Sequence, residues 1–333
     1  MITDKKTYEI EEKIKITSIF KNKKFLSISF LSVKEIFPEG FNLKSNKYNL
    51  LILPFQKVER TYLVKGTSRG KYKLNEVNLE LGDFLGFKNK YKTINMEKYI
   101  TILPKKEKLK NLISSHGSLY GDISIKRWIL EDPLMTIGVR EYTGNEPVKY
   151  IHWPSSIKYN DLMVKQFDFT TDNSAEVFLN IESSKPYWKN IDKKAIEKSI
   201  IITRSILEEF EKEKIPYGFG VNTYLSDNKN SKGIFYYPSF SKNNLNKYLK
   251  ILGEINYIIS SSFEKTLLDI IRLKNTYNTL VIVTPKVFDS YIKPLNSASR
   301  IIGRIILITI HNDNLNKLDK NIVTYKGVEE WEY

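Results

Sequence analysis

The stretch Glu176-Val177-Phe178-Leu179-Asn180-Ile181 is followed, after a polar loop, by an amphipathic run over residues 192–214. A short apolar run bounded by turn chemistry reads as a strand buried on both faces. In the run behind it, Ile196, Ile200, Thr203, Leu207 and Phe210 fall on one stripe, which predicts a long helix covering that strand. The alternation continues outward. Residues 216–222 read as the next strand, where Gly218 and Gly220 allow close backbone approach. Residues 234–237 read as a further short strand, 243–259 and 263–275 as helices, and Thr279–Thr284 and 305–310 as buried strands with a helix over 287–301 between them. Strands alternating with helices of this length predict a parallel, doubly wound sheet over residues 174–333.

Upstream the period changes. Residues 8–16 and 24–30 largely alternate apolar and polar, as do 48–55, 60–64, 70–81 and 91–103. Pro38, Gly40, Gly66, Gly82 and Pro104 punctuate them. Several short strands spaced by turns predict an antiparallel β-sandwich-like domain over residues 1–105. Residues 106–173 then read as a linking segment. The fold expected is α+β overall.

Composition narrows the class. At 333 residues and 41% hydrophobic content the chain is long enough for about two packed domains. With no cysteine it has no disulfide framework, zinc ribbon or thiol nucleophile, and it suits a reducing compartment. The start, Met1 to Lys6, lacks the apolar run of a signal peptide, and a cytoplasmic location is expected. The net charge is +15, and residues 1–110 alone hold 24 Lys+Arg against 12 Asp+Glu. Such an excess suits an anionic membrane surface, or follows simply from a Lys-, Asn- and Ile-rich composition. No basic cluster is interleaved with aromatics, so a nucleic-acid partner is not expected.

Catalytic signatures are few. Gly66-Thr67-Ser68-Arg69-Gly70-Lys71 falls one residue short of a phosphate loop and precedes a strand instead of a helix. No nucleophile elbow or paired-histidine zinc motif occurs. One enzymatic alternative is a hydrolase built from Glu182, Ser183 and His311 at the strand ends of the α/β domain.

The densest mixture of turn chemistry, arginine and aromatics runs from Gly138 to Ser156. Arg140 is suited to fork onto a carboxylate, while Tyr142 and Trp153 supply bulk beneath a turn over residues 144–147. The segment reads as a junction fixing two domains, with Trp153 burying most of its ring; an anion- or partner-binding loop is the functional alternative. Gly138, Arg140, Glu141, Tyr142, Ile151, His152 and Trp153 follow the Gly-x-Arg-x-Tyr … Ile-x-Trp signature of the bacterial family called domain of unknown function 58, which this chain resembles. Gly144, Asn145, Glu146 and Lys149 stand where the family has Pro, Gly, Asp and Arg, which marks a divergent member. Upstream, Arg69-Gly70-Lys71-Tyr72 with Asp83-Phe84-Leu85-Gly86-Phe87 resembles the family's other signature.

The resemblance implies a C-terminal domain like von Willebrand factor A domains, which hold a divalent metal with an Asp-x-Ser-x-Ser loop, a later Thr and a later Asp. Here Asn180 replaces the Asp, Glu182 the first Ser, and Ser184 matches the last Ser, while Thr279–Thr284 runs into Pro285 where an Asp would stand. Two negative ligands are lost, so the site is degenerate and no divalent cation or other cofactor is expected. The resemblance also implies membrane helices upstream of the β domain, a MoxR-type AAA ATPase as partner, and hence a non-enzymatic scaffold or adaptor at the cytoplasmic membrane face.

Overall fold

In the structure, a computed structural model, residues 1–82, 89–115, 136–144, 148, 151–167, 174–225, 233–239, 241, 243–272 and 277–327 are described. Asp83, Gly86, Glu146 and Lys149 of the two signatures lie outside them.

The N-terminal part is all β: β1 (Ile2–Thr3), β2 (Thr7–Tyr8), β3 (Lys13–Lys21), β4 (Ile28–Ile36), β5 (Ser45–Ile52), β6 (Lys57–Lys65), β7 (Gly70–Gly82) and β8 (Asn89–Ile102). They form a three-stranded sheet in the order β1-β3-β6 and a five-stranded sheet in the order β2-β8-β7-β4-β5. All pairings are antiparallel except β2 with β8. The period-two pattern aims Ile14 and Ile16 of β3 into one apolar core with Val64 of β6, Leu74 of β7 and Ile100 of β8, so both sheets close over a shared interior. That interior holds one fully buried acid. Glu35 accepts hydrogen bonds from Ser18 Oγ, from Tyr62 OH and from Tyr48 OH at 3.0 Å. Three hydroxyls satisfy a carboxylate that burial would otherwise make costly.

Past β8 the chain enters α1 (Leu109–Leu112) and β9 (Ile113–Ser115). β9 pairs antiparallel with β19 (Ile322–Gly327) at the edge of the C-terminal sheet. Residues 109–115, expected in the linking segment, therefore belong to the α/β unit, because Leu109, Leu112 and Ile113 bury in its core. The remainder of that segment contributes a small hairpin, β10 (Thr136–Glu141) and β11 (Met163–Phe167), carrying α2 (Trp153–Tyr159) between its strands.

The C-terminal unit follows the expected alternation: β12 (Ala175–Leu179), α3 (Lys193–Lys212), β13 (Tyr217–Val221), β14 (Thr223–Leu225), β15 (Ile234–Ser239), α4 (Asn244–Glu254), β16 (Ile255–Ile259), α5 (Phe263–Arg272), β17 (Thr279–Thr284), α6 (Asp289–Ala298), β18 (Arg304–Thr309) and β19. Its seven-stranded sheet runs β15-β13-β12-β17-β18-β19-β9, with the five inner strands parallel and both edge strands antiparallel. The stripe Ile196, Ile200, Thr203, Leu207 and Phe210 of α3 is fully buried. α3 and α4 cover one face, α5 and α6 the other. The helix expected over 243–259 stops at Glu254. Residues 255–259 turn into β16, which pairs with β14, because β-branched Ile255, Ile258 and Ile259 favour the extended chain there. No helix among the described residues is long and apolar enough to cross a membrane.

Two buried arginines join the units. Arg69, at the entry to β7, reaches Glu197 of α3 and the carbonyls of Leu252 and Ile255. Arg204 of α3 forks onto Glu9 at 2.6 and 2.8 Å, bonds Glu208 at 2.9 Å, and also donates to the Pro104 carbonyl.

Candidate functional site

In open α/β sheets ligands settle at the carboxyl ends of the strands where the strand order reverses. Here that point lies between β12 and β17, and the residues following them are Asn180 to Ser184 and Pro285. Of the three residues the sequence groups here, Asn180 and Glu182 are buried together, and the third member beside them is Thr284, which the sequence did not single out. Asn222, at the end of β13, and Tyr291, on α6, complete the group; neither stood out in the sequence, since lone Asn and Tyr residues carry no spacing signal.

The polar atoms are spent on one another. Asn180 Oδ1 accepts from Asn222 Nδ2 at 2.7 Å and from the Glu182 amide at 3.1 Å. Its Nδ2 donates to Thr284 Oγ1 at 2.9 Å and to Tyr291 OH at 3.4 Å. Tyr291 OH in turn donates to Glu182 Oε2 at 2.7 Å, which also takes the Phe263 amide at 3.2 Å. Burial, then the Glu182 charge, pushes the Tyr291 hydroxyl far above its usual range, which holds it as a donor. Over this layer lies Lys185. Its ammonium pairs with Glu264 and Ser290 Oγ, stands 4.0 Å from Glu182 Oε1, and sits 4.7 Å from the Tyr291 ring centroid. Although burial works against it, Lys185 holds the Glu264 carboxyl below its ordinary value.

These residues do not fit a divalent cation. A hard cation wants anionic oxygens converging on one point. Asn180 instead turns an N–H towards Thr284 and Tyr291, and Lys185 brings a positive charge to within 4.0 Å of Glu182. No cluster of three or more His, Asp or Glu suited to a metal occurs among the described residues. Half-buried Ser184 donates its hydroxyl instead to the Pro186 carbonyl, at 3.4 Å.

The hydrolase residues are not joined to each other. His311 Nε2 faces Asp192 Oδ2 at 3.1 Å, Ser183 Oγ accepts the Asp192 amide at 3.0 Å, and Glu182 is committed to Tyr291. Asp192 also caps α3, accepting the Ala195 amide at 3.0 Å. Despite partial burial, that amide and His311 hold its carboxyl below the usual value. The Asp192–His311 pair thus reads as a helix-capping contact, because among the described residues no nucleophile is placed against the ring.

The signature segment departs from its expected role. Trp153 is 57% exposed, not buried, and Arg140 lies on the exposed side of β10, where Nη1 bonds the Glu141 carbonyl at 3.3 Å. Among the described contacts, Arg69 and Arg204 join the two units. His152 does serve structure: its Nδ1 accepts the Ser155 amide at 3.2 Å and caps α2, with Pro154 pre-setting the first turn. This leaves Trp153 and Ile157, one helical turn apart, side by side in solvent. Gly138, Glu141 and Tyr142 are all part of the same hairpin unit, with the Tyr142 amide bonded to the Leu162 carbonyl at 2.8 Å. Gly70 packs against its own strand's Tyr72.

No family model and no curated protein matches the sequence. Among solved structures, the chain is similar to a Paenibacillus sp. cycloisomaltooligosaccharide glucanotransferase, at 7% identity and a TM-score of 0.19 over 92% of this chain and 44% of that one. It is also similar to the pilus adhesin of Streptococcus pneumoniae, at 10% identity and a TM-score of 0.22 over 88% of this chain and 41% of that one. The chain spans less than half the length of either, and at these scores neither likeness carries an argument.

Proposed function

We propose that this chain is a non-enzymatic interaction protein, a scaffold or adaptor working at the cytoplasmic membrane face with a MoxR-type AAA ATPase. The observation that carries the reading is the exposed Trp153–Ile157 pair on α2. A large aromatic beside a β-branched residue, on a helix end fixed by the His152 cap, has the chemistry of an interface anchor. The strand order of the α/β unit, with a reversal beside the Asn180 loop, supports reading it as an A-domain-like member of the domain of unknown function 58 family. Within that reading, the crevice is stabilised by its own side chains and Lys185 rather than by a divalent cation.

Hydrolysis by Glu182, Ser183 and His311 is the alternative. It carries less, because each of the three has its own partner. Affinity capture from the native cell tests the proposal. The parent chain recovers an AAA ATPase, and a Trp153→Ser/Ile157→Ser variant with an unchanged melt does not. Repeated captures free of any AAA ATPase, or capture indifferent to the two substitutions, overturn it.

A further inference from the structure

Register places the β3–β4 loop and the β5–β6 turn together, at the end of the N-terminal sandwich opposite Arg69 and the α/β unit. Lys21 pairs with Lys57 there, whereas Lys13 pairs with Lys65 at the other end. The tip is apolar and in solvent: Phe25 is 81% exposed, Leu26 77% and Phe55 69%. The two rings meet edge to face with centroids 6.5 Å apart.

This exposure is built into the loops. Buried Asn22 ties both together, its Nδ2 donating to the carbonyls of Leu26 at 2.8 Å and Leu53 at 3.1 Å. The turn closes between the Gln56 amide and the Leu53 carbonyl at 3.2 Å, with Pro54 at its second position. Phe55 therefore occupies the third, at φ +59°, a left-handed conformation that favours Gly or Asn and strains a bulky residue. Backbone strain held at an exposed aromatic is the mark of a working surface rather than of packing.

A collar of cations surrounds the apex. Lys21, Lys23 and Lys24 are exposed, and no acidic partner faces them among the described residues. Lys21 stands directly across the ladder from Lys57, whose ammonium is paired with Glu59 on its own strand, which leaves Lys21, Lys23 and Lys24 as the collar.

We propose that this tip docks on an anionic lipid bilayer, Phe25, Leu26 and Phe55 entering the headgroup–acyl boundary while Lys21, Lys23 and Lys24 meet lipid phosphates. An apolar apex with a cationic collar matches the layering of that interface, and the N-terminal excess of positive charge points the same way. A protein groove or a second copy of this chain would have to supply a negative rim, and the second copy would bring the same lysines. The inference deepens the membrane half of the proposed function and is independent of Trp153.

The test is co-sedimentation of the full chain with phosphatidylcholine vesicles, with and without phosphatidylglycerol. Binding is expected to the anionic vesicles and to weaken with salt. A Phe25→Ser/Phe55→Gly variant is expected to bind about tenfold more weakly or worse, and Lys23→Gln or Lys24→Gln about fivefold more weakly each. Phe55→Gly relieves the strained turn, so an unchanged or raised melting temperature shows that the variant is folded. Absence of vesicle binding, binding indifferent to Phe25 and Phe55, or a self-associating species that these substitutions dissolve overturns the proposal. Loss of vesicle binding with ATPase capture intact strikes this inference alone.

Discussion

Arg69, at the entry to β7, and Glu197, one turn into α3, form a two-pronged ion pair, Nη2 to Oε1 at 2.6 Å and Nε to Oε2 at 2.8 Å. The remaining guanidinium nitrogen donates to the Leu252 carbonyl at 2.8 Å and the Ile255 carbonyl at 3.0 Å, the two ends of the α4–β16 break. One side chain thus fixes the β domain against a helix and against the point where that helix becomes a strand. Planar, bidentate geometry of this kind is specific to arginine. Arg69→Ala is expected to cost about 3 kcal/mol, because it leaves partly buried Glu197 with the Tyr257 hydroxyl but no cation, and takes this donor from two carbonyls. Arg69→Lys restores only part of it. Scanning calorimetry checks the consequence: one cooperative transition in the parent, two separated transitions in Arg69→Ala.

Glu176 gives a pH dependence of defined sign. Its carboxyl, fully buried in the middle of the seven-stranded sheet, has no hydrogen-bond partner for either oxygen among the described residues, and Gly218 on the neighbouring strand leaves the room that it occupies. Burial holds it well above the ordinary glutamate value of 4.5, so the folded state keeps a proton that the unfolded chain releases. The stability tied to that proton is complete below 4.5 and is lost as pH rises towards the folded value. Glu176→Gln removes the titration. Urea melts are expected to show parent and variant alike at pH ~4, with the variant gaining about 1.4 kcal/mol on the parent per further pH unit, until the folded value is reached. A constant gap across pH is the contrary result.

Much of the architecture was legible because it rests on periodicity. The α3 stripe and the buried strands at Val177, Val281 and Ile306 follow from where apolar residues recur, whereas the runs over 8–16 and 24–30 overlap β3 and β4 only in part, those strands beginning at Lys13 and Ile28. What rests on single long-range contacts was not. Arg204 reads as an ordinary helical cation, yet it is buried beside Glu9 because the domains meet there. Glu35 lies beyond the run over 24–30 that alternates in sequence, and only the arrival of Tyr48 and Tyr62 from other strands makes it a core residue. The pairing of Asn180 with Glu182 was visible by resemblance, but its closure by Thr284, Asn222, Tyr291 and Lys185 was not, since those lie on separate elements.

Trp153 illustrates the reverse error. A tryptophan beside turn residues invites a reading of burial, and truncating a buried ring costs about 3 to 5 kcal/mol. With 57% of the residue exposed, Trp153→Ala is instead expected to change stability by no more than about 0.5 kcal/mol. His152→Ala, which strips α2 of its cap, is expected to cost about 1 kcal/mol. Paired thermal melts order the two variants, and a Trp153 variant less stable than the His152 variant contradicts the assignment.

The crevice makes its own prediction through Asn180→Asp, the substitution that would return a carboxylate to the β12 loop. Asn180 uses Nδ2 as a donor to Thr284 Oγ1 and Tyr291 OH, and an aspartate has no hydrogen to offer either of them. Thr284 is already donating to the Lys286 carbonyl at 3.0 Å, and Tyr291 to Glu182 at 2.7 Å, so neither hydroxyl can reverse without abandoning a partner. The new charge would also share its buried surroundings with Glu182. The expected cost is about 2 to 4 kcal/mol. A buried aspartate beside a second carboxylate titrates high, so the loss is smaller at pH ~5 than at pH ~8, as the aspartate is forced to ionise. Urea melts at both pH values, with and without magnesium, check this. Magnesium that restores Asn180→Asp to parental stability would show that Lys185 does not hold the cation position, and would return the crevice to the class of divalent-metal sites.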